Sequence, residues 1–408
     1  MIIPRDDPRG YAKLGERETP STASFPPAFL EYVFYGSLTY AYLGQVWGIV
    51  IPAVGGVILL LNAVACFLSV GAQSLRSYRP VALAFCTGIL VIVIQLPFHH
   101  QTAQAFSEGL GIVMWLELLI IIQSLSLRPG FLHRFALVAL AIGVSCLPYI
   151  DLRRVGGIVR AWASGTGLSN PNALGQWFGF CFVYLLFLSV QSQRSLLRTV
   201  FGAAAVGCLY VVTLSVSRAP LVGIALACLV GFRHMLKRSF LPLVLFAVVV
   251  CLVYISGVFD EEISQYTSRG VEETGRGRLW PAALARILDS PWIGRGLGDT
   301  RIPPTWAKGL WHNPHNSFLY LALAAGVFPL ICYLQYLARV AIGCLHLMQR
   351  VPVGEAALLP PLFVFALFEM VVDHYAFMSP WTIVVCCLTA SINYNNACRG
   401  PMISERTV

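Results

Sequence analysis

The sequence predicts an all-α, polytopic integral membrane protein of about 12 transmembrane helices, with one large outer loop that contains short amphipathic helices. Three observations carry this. Over 408 residues, 57% are hydrophobic and only 12% charged, against roughly 25% charged in soluble domains. Apolar runs recur at the length of about 20 residues that a bilayer core requires. The short loops between them alternate in basic content, as the positive-inside rule asks.

The spans lie at approximately 29–48, 50–70, 81–97, 109–127, 131–148, 172–190, 199–215, 219–232, 240–258, 316–338, 356–373 and 380–394. Residues 1–27 precede them as a polar, Pro-rich cytoplasmic tail with no short charged start followed by an apolar run, so no cleavable signal is read there. Helices 1–9 occupy 28–258, an outer loop 259–315, helices 10–12 occupy 316–394, and 395–408 form a second cytoplasmic tail. On this count the inner loops hold Arg76 and Arg79, Arg128 and Arg134, Arg194 and Arg198, Arg233 with Lys237 and Arg238, and Arg339 with Arg350. Both termini are then inside. The net charge of +9 is distributed by side of the membrane and needs no nucleic acid to explain it. The 12 Cys lie almost entirely in apolar runs, without a CxxC pair, and read as small packing residues.

The cations left outside are Arg153, Arg154 and Arg160 after span five, Arg218 after span seven, and Arg269, Arg276, Arg278, Arg286, Arg295, Arg301 and Lys308 after span nine. Long translocated loops tolerate solvated Arg, which accounts equally well for Arg269, Arg286 and Lys308. It does not account for Arg218. That residue sits in the short turn SVSRAPL at the membrane face, where a charge marks function by default, and a guanidinium is suited to bidentate phosphate binding.

Within 259–315 the segment GRGRLWPAALARILDSPWIGRGLG reads as an amphipathic helix with Pro281 near its start and Trp280, Leu284, Ile287 and Leu288 on one face. Arg276 and Arg278 at its positive end make an anion site; lipid phosphates at the membrane surface are the other anion they suit. The loop closes on His312 and His315 at the mouth of span ten. Two imidazoles do not complete a metal site, no Cys or carboxylate follows at ligand spacing, and Pro314 interrupts a regular helix, so no metal is assigned. A His beside several Arg reads instead as a general base. His99, His100, Asp373 and His374 also fall at the outer face, and Glu369 lies one turn deeper than Asp373.

The motifs SNPNALG (169–175), LSVSRAPLVG (214–223), TGRGRLW (274–280), SPWIGRGLG (290–298) and HNPHNSFLYLALAAGVFPL (312–330) together resemble the O-antigen ligase and polymerase superfamily over roughly 165–335. The resemblance implies a bacterial inner-membrane glycosyltransferase whose site faces the periplasm, with 259–315 a periplasmic catalytic loop. Its donor would be a glycan on undecaprenyl pyrophosphate. Its acceptor would be lipid A core in a ligase or a carrier-linked repeat unit in a polymerase. No cofactor is implied. By the same resemblance His315 would deprotonate the acceptor hydroxyl, and Arg218 and Arg276 would bind the leaving pyrophosphate. Arg278, Asn316, His312, Arg295, Arg301 and Asn172 are further substrate-binding candidates, with His312 and Arg278 competing for the first two roles.

The chemistry points the same way. Departure of pyrophosphate needs a metal or fixed guanidiniums, and the loop has no DxD pair. A retaining route needs a carboxylate nucleophile and an acid placed close together; Glu272 and Glu273 read as loop charges, which favours direct displacement with inversion. A transporter is the competing class for twelve spans, but no internal repeat is visible and the ionisable residues gather at one face, Glu117 and Glu369 excepted.

Overall fold

The computed structural model describes residues 28–46, 52–71, 75–95, 103–155, 158–233, 276–302, 313–350, 354–372 and 381–398. Thirteen α-helices run through these residues. They are α1 (Ala28–Leu43), α2 (Pro52–Gly71), α3 (Ala82–Gln95), α4 (Ala103–Leu125), α5 (Phe131–Cys146), α6 (Pro171–Gln191), α7 (Ser195–Leu214), α8 (Arg218–Gly231), α9 (Arg276–Asp289), α10 (Ser317–Ala325), α11 (Val327–Arg350), α12 (Glu355–Val372) and α13 (Trp381–Cys398). Six stretches among the described residues are long and apolar enough to cross a membrane: Tyr78–Gln95, Ala105–Leu125, Phe131–Tyr149, Pro171–Gln191, Ser195–Leu214 and Val327–Gln349. The shorter apolar helices Leu60–Val70, Arg218–Gly231 and Ala356–Val372 accompany them. The span expected at 240–258, the tail 1–27, the loop segments 259–275 and 303–312, and residues 399–408 lie outside the described residues.

The bundle is organised around α6. Asn170 caps it by accepting from the Asn172 amide at 2.9 Å, and Pro171 supplies a preset first turn. Trp177, Phe178, Phe180 and Tyr184 are all buried, as expected of a helix that is apolar all round and sits inside the bundle. Its partner α7 shows the opposite pattern: Leu196, Val206 and Tyr210 are 73%, 67% and 63% exposed, a face suited to lipid. Cys146, Cys181, Cys208, Cys344, Cys386 and Cys387 are free and buried in helices, so they act as packing residues.

Several of the cations that the sequence reading assigned to inner loops are bonded away from the site described below. Glu31, buried in the first turn of α1, accepts from Arg134 Nε at 2.6 Å, from Arg128 Nη1, and from Tyr35 Oη at 2.8 Å. Arg233 Nη2 donates to the Met348 carbonyl at 2.5 Å. Such pairing is what a nearly buried carboxylate requires.

Two features depart from a purely helical reading. After α5 the chain forms an antiparallel hairpin of β1 (Ile150–Val155) and β2 (Ile158–Ala163), with Arg153 directly opposite Arg160. Second, the span expected as one helix over 316–338 is broken at Gly326, which takes φ +79° between α10 and α11. The apolar run LALAAGVFPL gives no hydropathy signal of a break, but three of the backbone groups it releases find partners outside the two helices. The Leu323 carbonyl accepts from the Arg295 amide at 2.7 Å, and the Ala324 carbonyl accepts from the Gly296 amide at 3.1 Å and from Gln95 Nε2 at 3.2 Å. The Val327 amide donates to the Pro291 carbonyl at 2.8 Å. Irregular backbone inside a bundle persists only when satisfied in this way.

A Cβ at Gly326 would lie 2.3 Å from the Trp292 carbonyl oxygen, in a φ region that L side chains rarely adopt. Gly326→Ala is therefore expected to destabilise the protein by more than about 2 kcal/mol. The thermal unfolding midpoint in detergent should fall by several degrees, and an unchanged midpoint would contradict the strain argument.

Candidate active site

One part of the site is built where α6, α8 and the hairpin meet. Only Ser215, Val216 and Ser217 connect α7 to α8, and Ser215 and Ser217 are buried. Val216 takes φ +49°, an outlier for a β-branched residue. The turn lies directly on α6, because a Cβ at Gly175 would sit 2.7 Å from Ser215 Oγ. Arg160 of β2 donates from Nε to the Ser215 carbonyl at 2.9 Å and from Nη2 to Asn172 Oδ1 at 3.1 Å. Ser217 Oγ donates to the same Asn172 oxygen at 3.0 Å. Arg218 follows as the first residue of α8, half-buried.

One buried carboxylate lies beside this region and a second lies against α10. Glu369 of α12 is fully buried and accepts from Gln176 Nε2 at 2.8 Å, while its other oxygen lies 3.1 Å from where a Gly223 Cβ would be. It thereby joins α6, α8 and α12. Glu108 accepts from Tyr320 Oη of α10 at 2.5 Å, and both side chains are buried. The span expected from 109 begins at Ala103 instead, which brings Glu108 inside α4. Carboxylates at this depth mark polar cavities or buried partners.

The other part is carried by α9 and α10. Arg276 opens α9, half-buried. The helix packs through Leu279 and Ala283 against Ile302 and Leu323, with Ile287 alongside. The face expected to hold Trp280, Leu284, Ile287 and Leu288 is thus divided. Leu284 and Leu288 are 50% and 75% exposed, because the apolar surface wraps two sides of α9 and α10 covers only one. Trp280 Nε1 donates to the Pro314 carbonyl at 3.0 Å, fixing the residue before His315. His315 itself takes φ +46°, a left-handed conformation in which His is enriched among non-Gly residues. Asn316 caps α10, accepting from the Phe318 and Leu319 amides at 2.9 and 3.0 Å. The HN pair is therefore a chain reversal that carries the imidazole, followed by a helix cap.

Of the remaining candidates, Arg295 Nε pairs with Asp299 Oδ2 at 2.9 Å, and Asp299 Oδ1 also accepts from Arg286 Nη2 at 2.8 Å. These bonds hold the Gly-rich turn after α9. Arg301 is exposed. His312, Asp373, His374, His99 and His100 lie outside the described residues, as does the Arg278 side chain. The structure joins Asn172 to the turn before Arg218, and joins Arg276's helix to the segment before His315. α12 touches both α8 and α10, so one helix packs against an element of each part.

Arg160, Gln176, Glu108, Tyr320 and Asp299 were not among the sequence candidates. Arg160 had a readable signal, since two six-residue runs flank Gly156 and Gly157, a dipeptide suited to a tight hairpin turn. On the hairpin, the Arg153 guanidinium beside Asp151 holds that carboxyl below its ordinary range, helped by Ser164 Oγ. Because the folded-state value is lowered, the pair supports the fold above the unfolded carboxyl value and loses that support as pH falls through the folded one.

No curated protein matches the chain. The family model described as O-antigen ligase matches residues 203–334, a stretch that runs from α7 into α11 and contains Arg218, Arg276 and His315. Over that domain, about a third of its length, the chain is similar to the O-antigen ligase family.

Proposed function

We propose that the protein is an O-antigen ligase-like glycosyltransferase that moves a glycan from undecaprenyl pyrophosphate to a lipid A core acceptor, by metal-independent transfer with inversion. The observation that supports this best is the placement of His315. It sits on a left-handed backbone at the start of α10, between the Pro314 anchor and the Asn316 cap, inside the matched domain. In this reading the acceptor hydroxyl oxygen attacks the anomeric carbon and its proton passes to the His315 imidazole. The bond from the anomeric carbon to the pyrophosphate oxygen breaks with its electron pair on that oxygen. Arg218 and Arg276 at their helix starts stabilise the departing anion, and undecaprenyl pyrophosphate leaves. Arg278, His312, Arg295 and Arg301 are further candidates for contact with the donor phosphates or the glycan.

Deleting the gene tests the function. Lipopolysaccharide should then carry no O-glycan while carrier-linked glycan accumulates. A single repeat on each core would indicate a polymerase that joins carrier-linked units, and unchanged lipopolysaccharide would overturn the assignment.

The reading places both termini in the cytoplasm, 259–315 in the periplasm and the protein in the bacterial inner membrane. In a Cys-depleted background, Thr305→Cys should react with an impermeant thiol reagent added from the periplasmic side and Met235→Cys should not. The reverse pattern would invert the site's orientation.

A further inference from the structure

We infer that Arg160 is a positioning residue that acts on the reaction through Arg218, with Asn172 as the joint between them. This rests on the reading of Arg218 as a leaving-group ligand. Arg160 faces Arg153 in the hairpin register, and like charges directly opposite each other weaken a strand pair. The hairpin alone therefore gives no reason for a guanidinium there, whereas the turn before α8 does.

Two hydrogen bonds of Arg160 end on that turn and on its support. Nε holds the Ser215 carbonyl, one residue before the left-handed Val216. Nη2 holds Asn172 Oδ1, whose second lone pair is taken by Ser217 Oγ, one residue after Val216. The Ser217 amide in turn reaches Ser215 Oγ at 3.3 Å. A strained residue persists only where its surroundings over-determine it, and here a planar fork from β2 braces both flanks. The next residue is Arg218, so the brace sets the point from which its side chain starts. The Asn172 oxygen is occupied within the protein, which makes Asn172 part of the brace and not a donor ligand through that atom.

The test uses the full-length protein in nanodiscs, with a double-mutant cycle and deuterium exchange. Arg160→Ala is expected to slow transfer on the order of 10²-fold, the effect of misplacing a contact by about 1 Å. Arg160→Lys, which keeps the charge but not the fork, should recover only part of it. Combined with Arg218→Lys, Arg160→Ala should add less than about threefold to the loss from Arg218→Lys alone, because both act on one contact. Amide exchange over 213–219 should quicken at least tenfold in Arg160→Ala and stay unchanged in Arg218→Lys. Should Arg160→Ala fail to accumulate, Arg160→Lys takes its place in every arm.

Fully multiplicative losses in the double variant would make Arg160 an independent substrate contact and overturn the inference. Unchanged exchange in the Arg160 variants would also overturn it. Full activity of Arg218→Lys would count against the leaving-group reading, while the exchange data would still decide whether Arg160 braces the turn.

Discussion

His315→Ala is expected to lower glycan transfer by about 10²- to 10⁴-fold, the usual contribution of a positioned general base. The protein should still fold and still bind carrier-linked donor. The folding expectation follows from the local structure: α10 is capped by Asn316, not by His315, and the Trp280 bond ends on the Pro314 carbonyl. Alanine at φ +46° carries some backbone strain, so His315→Asn, which tolerates that region and is no base at neutral pH, is the sharper variant. It should be as inactive as His315→Ala, with an unfolding midpoint closer to the native one. Native transfer should persist in EDTA. A fully active His315→Asn would remove the base from this position and leave His312 as the candidate. Loss of native activity in EDTA, restored by one divalent metal, would replace the metal-free mechanism.

The second large effect is expected at the two helix-opening arginines. Arg218→Lys and Arg276→Lys keep the charge but lose the planar fork that matches phosphate oxygens. Each should reduce transfer by at least about tenfold, and the loss should appear mainly in kcat, because the negative charge on the bridging oxygen develops fully only as the bond breaks. Steady-state kinetics with purified donor would show this. Normal kcat in both Lys variants, at normal protein levels, would refute the role. A rise in donor KM alone would indicate that the two residues bind donor and transition state equally.

Much of the fold could be read before any coordinates. The helices over 52–71, 82–95, 131–146, 171–191 and 355–372 fall within about four residues of the spans drawn from apolar length, because a bilayer imposes one length scale on every crossing. What escaped that reading is what length and hydropathy do not encode. Gly326 breaks a run that is apolar on both sides of it, and the partners that make the break possible, Gln95 and residues 291–296, are remote in sequence or lie in a loop. The Ile150–Ala163 hairpin is too short and too basic to register against membrane spans. At the candidate site, residue type pointed to Arg218 and to the pairs Arg276/Arg278 and His312/His315, between which only the resemblance chose, and it could not show that Asn316 is spent on capping or that Arg295 is paired with Asp299. These are local hydrogen-bond allocations, and a sequence gives the donors and acceptors without their pairing.

The break at Gly326 also sets the size of the block that can be shuffled between proteins of this kind. Residues 291–296 supply the amides and the carbonyl that complete the α10–α11 junction, and the Gln95 side chain serves both the Ala324 carbonyl and, at 2.7 Å, the Leu297 amide. A chimera with a crossover between 302 and 317 would therefore mate one parent's loop with the other parent's helix break. Such chimeras are expected to accumulate poorly, whereas exchange of 276–350 together with the α3 residue at position 95 should preserve insertion and folding. Acceptor preference, where it resides in this region, would then be inherited as a whole cassette and not residue by residue.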